Sequence, residues 1–285
     1  MRASSGVLDE RDRTRVRKSY DGGVYPLPVD QDARGILDPV TGLTRFRLDR
    51  YAPSGPVARL VDRYWLSSWD LADREPHAQR VFPHPVVNVV LTIGTATVHG
   101  PATGVRTQSL EGTGWALGVM FRPAGFRPLL GCPMRTIVDA ALPWPEVLGA
   151  DAPRDEDPRT LIAAVDRFLA SRLPGSRHPA EDTAALVERI AADPAGIGVE
   201  ALAEREGTTV RSLQRRFADH VGLSPKTVIR RYRFYEVAER ARTGPTPDWS
   251  ALAADLGYSD QSHLIRDFTA VVGAPPARYA ARSRS

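Results

Sequence analysis

Apolar positions change their period midway along the chain. From Leu43 to about Gly149 they come in short runs, "VVNVVLTIG" and "WALGVMF", broken by Gly, Pro and Asn. Such runs predict strands, and "VHGPATGVRTQSLEGTG" reads as a chain of turns between them. "PVARLVDRYWLSSW" ahead of them predicts a short helix followed by a strand. "DAPRDEDP" is polar and bounded by proline, as linkers are, and after it "RTLIAAVDRFLASRL" places Leu161, Val165, Phe168 and Leu169 on one helical face. "PGSRHPAED" breaks the chain again, and from Thr183 onward the period is helical, with Gly and Pro confined to turns. Residues 1–42 mix charges, Gly and Pro without periodicity and read as a flexible arm. The predicted organisation is therefore an arm (1–42), a β-rich domain (43–150), a linker with an amphipathic helix (151–182) and an all-α domain (183–285). The fold class is α+β multidomain, with a barrel or sandwich first.

The helical region spells a single phrase twice. "ALAEREGTTVRSLQRRF" begins at Ala201 and "ALAADLGYSDQSHLIRDF" at Ala251. At an offset of fifty, Ala201/Ala251, Leu202/Leu252, Ala203/Ala253 and Gly207/Gly257 match. One residue is then inserted, and Leu213/Leu264, Arg215/Arg266, Phe217/Phe268, Val221/Val272, Gly222/Gly273 and Pro225/Pro276 match at fifty-one. An internal duplication is the economical account.

Each copy has the parts of a helix-turn-helix, over about 199–223 and 249–274. A short helix ends at a glycine, and Thr209 or Asp260 then stands where a capping oxygen is needed. In the next helix Leu213 and Phe217 share the inward face, while Arg211, Gln214 and Arg215 lie on another. The matching outward trio is Ser262, Ile265 and Arg266. A major groove admits one such helix. Arginine forks onto guanine, glutamine pairs with adenine, and an apolar side chain touches a thymine methyl. One copy alone is explained as well by amphipathic helices with solvated arginines; two with matching turns favour groove reading.

Between the copies, Ser224 and Pro225 open a long helix with Val228, Tyr232, Tyr235, Ala238 and Ala241 at inward spacing, closed by Gly244. Arg230, Arg231 and Arg233 cluster near its start, where DNA phosphate is one expected partner and a solvated helix face explains them nearly as well. Thr209, Gln261 and His263 are expected to cap or to meet phosphate in the same way.

Composition adds little and excludes some classes. The chain has 285 residues, 42% of them hydrophobic and 25% charged, with a net charge of +4. That is enough for two ordinary cores. Lys18 and Lys226 are the only lysines, so the positive charge is nearly all arginine, whose planar fork suits phosphates and guanine edges. An arginine-rich genome explains that bias equally well, so position carries the argument. No apolar run approaches the roughly 20 residues that cross a bilayer. The basic start has no apolar segment behind it, and Cys132 is the single cysteine, so the expected location is the cytoplasm. His84 and His99 lie fifteen apart with no His-X-His or HExxH, and neither a metal nor a cofactor is expected. Catalytic and nucleotide motifs such as GxSxG, the P-loop and the dinucleotide fingerprint are absent. No catalytic residues are assigned.

The helical region resembles the AraC/XylS transcriptional regulators. The likeness covers Val199 to Tyr279, most specifically "LGYSDQSHLIRDFTAVVGAPPARY". It implies base contacts from Arg211, Gln214 and Arg215, and from Ser262, Ile265 and Arg266. The stretch "VFPHPVVNVVLTIG … VHGPATG … LEGTGWALGVMFRPAGFRPLLGCPM" also looks like the amino-terminal domain of one group of these regulators. In the family that domain is often a cupin-like barrel that holds an effector. Trp65, Trp69, Phe82, Trp115 and Phe121 are the aromatics expected to line such a pocket, although aromatics of this kind are more often core. The partners implied are double-stranded DNA, a small-molecule effector, a second copy of the chain and, for an activator, RNA polymerase, but no membrane. The expected function is a sequence-specific DNA-binding transcriptional regulator. A metal-dependent cupin-type enzyme fused to a DNA-binding half and a nonspecific nucleoid protein are the alternatives.

Overall fold

The computed structural model describes residues 25–27, 35–195 and 198–284. Its first half is built on strands β1 (Tyr25–Leu27), β2 (Arg47–Ala52), β3 (Val61–Leu71), β4 (His77–Val81), β5 (Asn88–Thr92), β6 (Thr95–His99), β7 (Arg106–Leu110), β8 (Gly112–Phe121) and β9 (Ala141–Pro143). Seven of them form one antiparallel sheet in the order β1-β2-β3-β8-β5-β6-β9, and β4 pairs with β7 in a second. The stretch expected to be all turns thus contains β7. Its outward residues are polar and only Leu110 is buried, so its alternation is too weak to read from the sequence.

The pleat sends alternate side chains to opposite faces of the large sheet. Tyr64 and Leu66 of β3, with Leu117, Val119 and Phe121 of β8, face one core. That core is closed by helices α2 (Trp144–Leu148) and α3 (Pro158–Arg172), after the single-turn α1 (Pro39–Gly42) near the start of the chain. Helix α3, expected inside a linker, buries Leu161, Ile162, Val165 and Leu169 here. Each such side chain contributes about 1.5–3 kcal/mol on leaving water. A buried carboxylate pins the helix in place, because Asp166 accepts from Tyr64 Oη at 2.9 Å and from the Ser54 amide at 3.1 Å. The arm expected over 1–42 is corrected as well. Tyr25–Leu27 pairs with β2, Ile36 bridges to Val81, Leu37 is buried and Pro39–Gly42 forms α1; residues 1–24 and 28–34 lie outside the described residues.

The second half is all helix: α4 (Pro179–Ala192), α5 (Val199–Arg205), α6 (Val210–His220), α7 (Pro225–Arg242), α8 (Trp249–Asp255), α9 (Gln261–Val272) and α10 (Pro276–Arg284). It holds two cores. Leu202, Leu213, Phe217 and Val228 belong to the first, and Leu252, Leu264, Phe268 and Tyr279 to the second. Both also take residues from the β-rich half, Ala124 in the first and Leu37 and Phe82 in the second. No helix among the described residues is long and apolar enough to cross a membrane.

Candidate nucleic-acid interface

Each duplicated unit is a short helix, a tight turn and a second helix. The turn needs positive φ, which glycine adopts without cost: 61° at Gly207 and 67° at Gly257. Thr209 then caps α6 by accepting from the Ser212 amide at 3.1 Å, and Asp260 caps α9 by accepting from the His263 amide at 2.8 Å. Each cap satisfies an amide that the first helical turn leaves unpaired. Leu213 and Phe217 are fully buried beneath α6, and Leu264 and Phe268 beneath α9.

On the opposite side of α6, Arg211, Gln214 and Arg215 are exposed. Ser262 and Arg266 are exposed in the same way on α9, whereas Ile265 is half-buried against the second core. Gln261 is exposed at the start of α9.

Several other arginines of this half are paired. Arg216 and Arg189 both bind Glu206, at 2.9 and 2.6 Å. Arg240 binds Glu236 at 2.7 Å, and Arg242 binds Glu239 at 2.8 Å. Arg211, Arg215 and Arg266 form no hydrogen bond or ion pair with the described residues. Arg205, Lys226, Arg278 and Arg282 are likewise exposed and without an ion pair among the described residues, so the outward faces of the two second helices carry part of the unpaired charge of this half.

The arginines expected to meet phosphate from α7 are engaged elsewhere. Arg230 grips Asp267 with two nitrogens, both at 3.0 Å, and the His263 ring sits against Ser259 at 3.1 Å and Asp267 at 3.5 Å. Arg231 is 4% exposed and donates to the carbonyls of Pro83 at 2.7 Å and Thr103 at 2.9 Å. Arg233 donates to Pro194 and Gly257 carbonyls, stapling the lead-in to the first unit onto the turn of the second. Burial between two loops corrects the phosphate assignment of Arg231, whereas the Arg230 and His263 side chains stay 41% and 43% exposed beside Asp267. Helix α7 is the central helix, with protein on nearly every side, so its cations face carbonyls and carboxylates. Their partners lie 24 to 148 residues away, and no local spacing signals them.

The five aromatics expected to share a pocket are dispersed. Phe121 lies in the sheet core against Phe126, and Trp115 points to that same face. Trp65 and Trp69 point to the other face, lying across Gly118 and Gly114 where a Cβ would stand. Phe82 packs on Tyr235 and Tyr279 of the helical half. A one-residue change of register sends a side chain to the opposite face, which is why aromatics close in sequence separate here. His84 stacks on Tyr235, His99 stands on β6, and no metal-ligand cluster occurs among the described residues.

His220 ends α6 with its ring 2.7 Å from Thr183 Oγ1. Burial, with Arg127, His178 and Arg216 nearby, holds it below the ordinary value of 6.5 despite the pull of Asp219. The unfolded chain therefore takes up the proton first. Stability should be complete above the ordinary value and decline as pH falls below it toward the folded value. Half-buried His99, beside Arg106, acts in the same direction. Urea unfolding at about pH 7.5 and about pH 5.5 should show the decline, and His220→Gln should flatten it. An unchanged slope in that variant would remove His220 from the account.

Comparison with known proteins follows this division. Residues 202–282 match the family model of a helix-turn-helix domain, and residues 49–143 that of a domain of unknown function, DUF6597. Residues 202–282 are an AraC-type helix-turn-helix domain. The chain that carries this AraC-type domain is a DNA-binding transcription regulator. A probable AraC family transcriptional regulator from Rhodopseudomonas palustris is similar at 27% identity, covering 35% of this chain and 94% of its own, with a TM-score of 0.32. The C-terminal domain of AraT, a response regulator from Geobacillus stearothermophilus, is 21% identical over 37% of this chain and 88% of its own, with a TM-score of 0.33. ToxT from Vibrio cholerae is 11% identical over 84% of this chain and 98% of its own, with a TM-score of 0.38. Among curated proteins, none matches the chain.

Proposed function

We propose that the protein regulates transcription by sequence-specific DNA binding, with α6 and α9 entering successive stretches of one major groove. The observation that carries this is the pair Arg215 and Arg266. They occupy the same position in the two copies, each is exposed on the side of its helix opposite a buried Leu-Phe pair, and neither has an ion-pair partner among the described residues. Arg211 and Gln214 complete the first reading face, Ser262 and Ile265 the second. The second face is poorer in donors, so the first unit carries most of the direct base readout.

Selection of the full chain against a randomised duplex pool should return one preferred site, with affinity falling steeply with salt as counterions are released. At that site Arg215→Ala should cost about 1–3 kcal/mol and blur one base position. Equal losses on selected and scrambled duplexes would make Arg215 a backbone contact and defeat the groove-reading assignment.

The amino-terminal half is the proposed home of a small effector. Trp69 borders an open groove of about 420 Å³ with Phe46 and Leu48, a volume suited to a small molecule. A ligand that raises the melting temperature of the full chain should lose that effect in Trp69→Ala. If the effect persists, the ligand binds elsewhere.

A further inference from the structure

The β-rich half touches both reading units, and it touches them at the same place. In the repeat, Val221 and Gly222 correspond to Val272 and Gly273, the residues at which each reading helix ends. At the first unit, Gly222 is seated against the β-rich half. A Cβ there would stand 3.0 Å from both the Met134 carbonyl oxygen and Val138 Cγ2. One turn before it, Arg127 Nε reaches Asp219 at 3.0 Å. At the second unit, Arg80 Nη2 donates to the Val272 carbonyl at 2.6 Å, and the same group lies 3.5 Å from where a Gly273 Cβ would be. Two residues on, Phe82 meets Tyr279 and Tyr235 edge-on.

We infer that the amino-terminal half is a gauge, which sets the mutual arrangement of the two reading helices by holding both at equivalent C-terminal points. A helix end offers carbonyls without intrahelical partners and the negative pole of the dipole, and the Arg80 guanidinium satisfies both. The grips leave the amino-terminal parts of α6 and α9, with Arg211, Gln214, Arg215, Ser262 and Arg266, uncovered. They are also joined to each other. Asp139, in the loop that carries Met134 and Val138, holds Thr103 through its amide at 2.7 Å and its hydroxyl at 2.6 Å. Thr103 and Pro83 in turn hold Arg231, midway between the units on α7. One grip alone fixes where the amino-terminal half sits. Two grips at matching points of a duplicated unit fix the units relative to each other, removing the freedom α7 leaves as a lone connection.

The geometry stands without DNA; its consequence for binding rests on the proposed function, and two measurements separate them. Spin labels at Gln214→Cys and Ser262→Cys, in a full-length Cys132→Ser background, report the separation of the reading helices directly. The distance distribution should be narrow, should broaden in Arg80→Met at the second grip and in Arg127→Leu at the first, and should narrow again in Arg80→Lys. Lysine suffices there because Arg80 uses a single nitrogen. On DNA, one base pair inserted between the two contacted stretches should weaken the parent by about tenfold more than Arg80→Met, the size of coupling expected between elements held together. An unchanged distribution in both variants would overturn the gauge whatever DNA does. Broadening without any sequence preference in the parent would leave the gauge standing and defeat the proposed function alone.

Discussion

Arg231→Ala should destabilise the full chain by about 2–4 kcal/mol and leave the salt dependence of DNA binding unchanged. The guanidinium is 4% exposed and is the donor to two carbonyls, Pro83 and Thr103. Truncation strands both acceptors in a site too buried for water to replace the donor freely, and it leaves a void besides. Burial also pulls Arg231 below the ordinary arginine value, the signature of a cation held by protein dipoles instead of water. Lysine at this position reaches one carbonyl but not both, so Arg231→Lys should recover some of the loss. Urea unfolding and a salt series on one selected duplex decide the matter. A fully stable Arg231→Ala protein, with binding weakened on every sequence and a salt slope lower by about one, would restore the phosphate contact that local sequence suggested.

Phe217→Ala and Phe268→Ala should each cost about 3–5 kcal/mol. The two side chains are fully buried, each beneath its own reading helix. They lie in different cores, Phe217 with Leu202, Leu213 and Val228, Phe268 with Leu252, Leu264 and Tyr279. Removing either ring unseats a helix that has few other anchors, because α6 buries only Leu213 and Phe217 along its length. DNA binding should fall with stability in each variant. Since the cores are distinct, the double variant should cost the sum of the singles to within about 0.5 kcal/mol. A double variant much less damaged than the sum would mean that the two units share one core.

The outward face of each second helix was legible because helix period and capping are local. Leu213 and Phe217 lie four apart, so they share a side; Arg211, Gln214 and Arg215 then fall on another whatever the helix packs against. Thr209, Asp260 and Ser224 each cap a helix from three residues away, within reach of spacing arguments. The strands around Val89 and Leu117 were legible for the same reason, since their apolar runs carry the signal themselves.

What the sequence by itself determined, then, is the change from strand to helix, the duplication, and most of the outward face of each second helix: Arg211, Gln214, Arg215, Ser262 and Arg266, but not half-buried Ile265. Which cations remain free to meet DNA was decided only by tertiary structure. Arg215 and Arg231 are the same residue type sixteen positions apart, yet one is exposed and the other sealed between two loops of the β-rich half. Likewise Trp65 and Trp69 leave the face that Trp115 and Phe121 share because pairing register sets the side, and register belongs to two strands at once. Charge and aromatic character are properties of a residue. Burial and partnership are properties of the contacts that form when distant segments meet, and a local pattern carries no record of them.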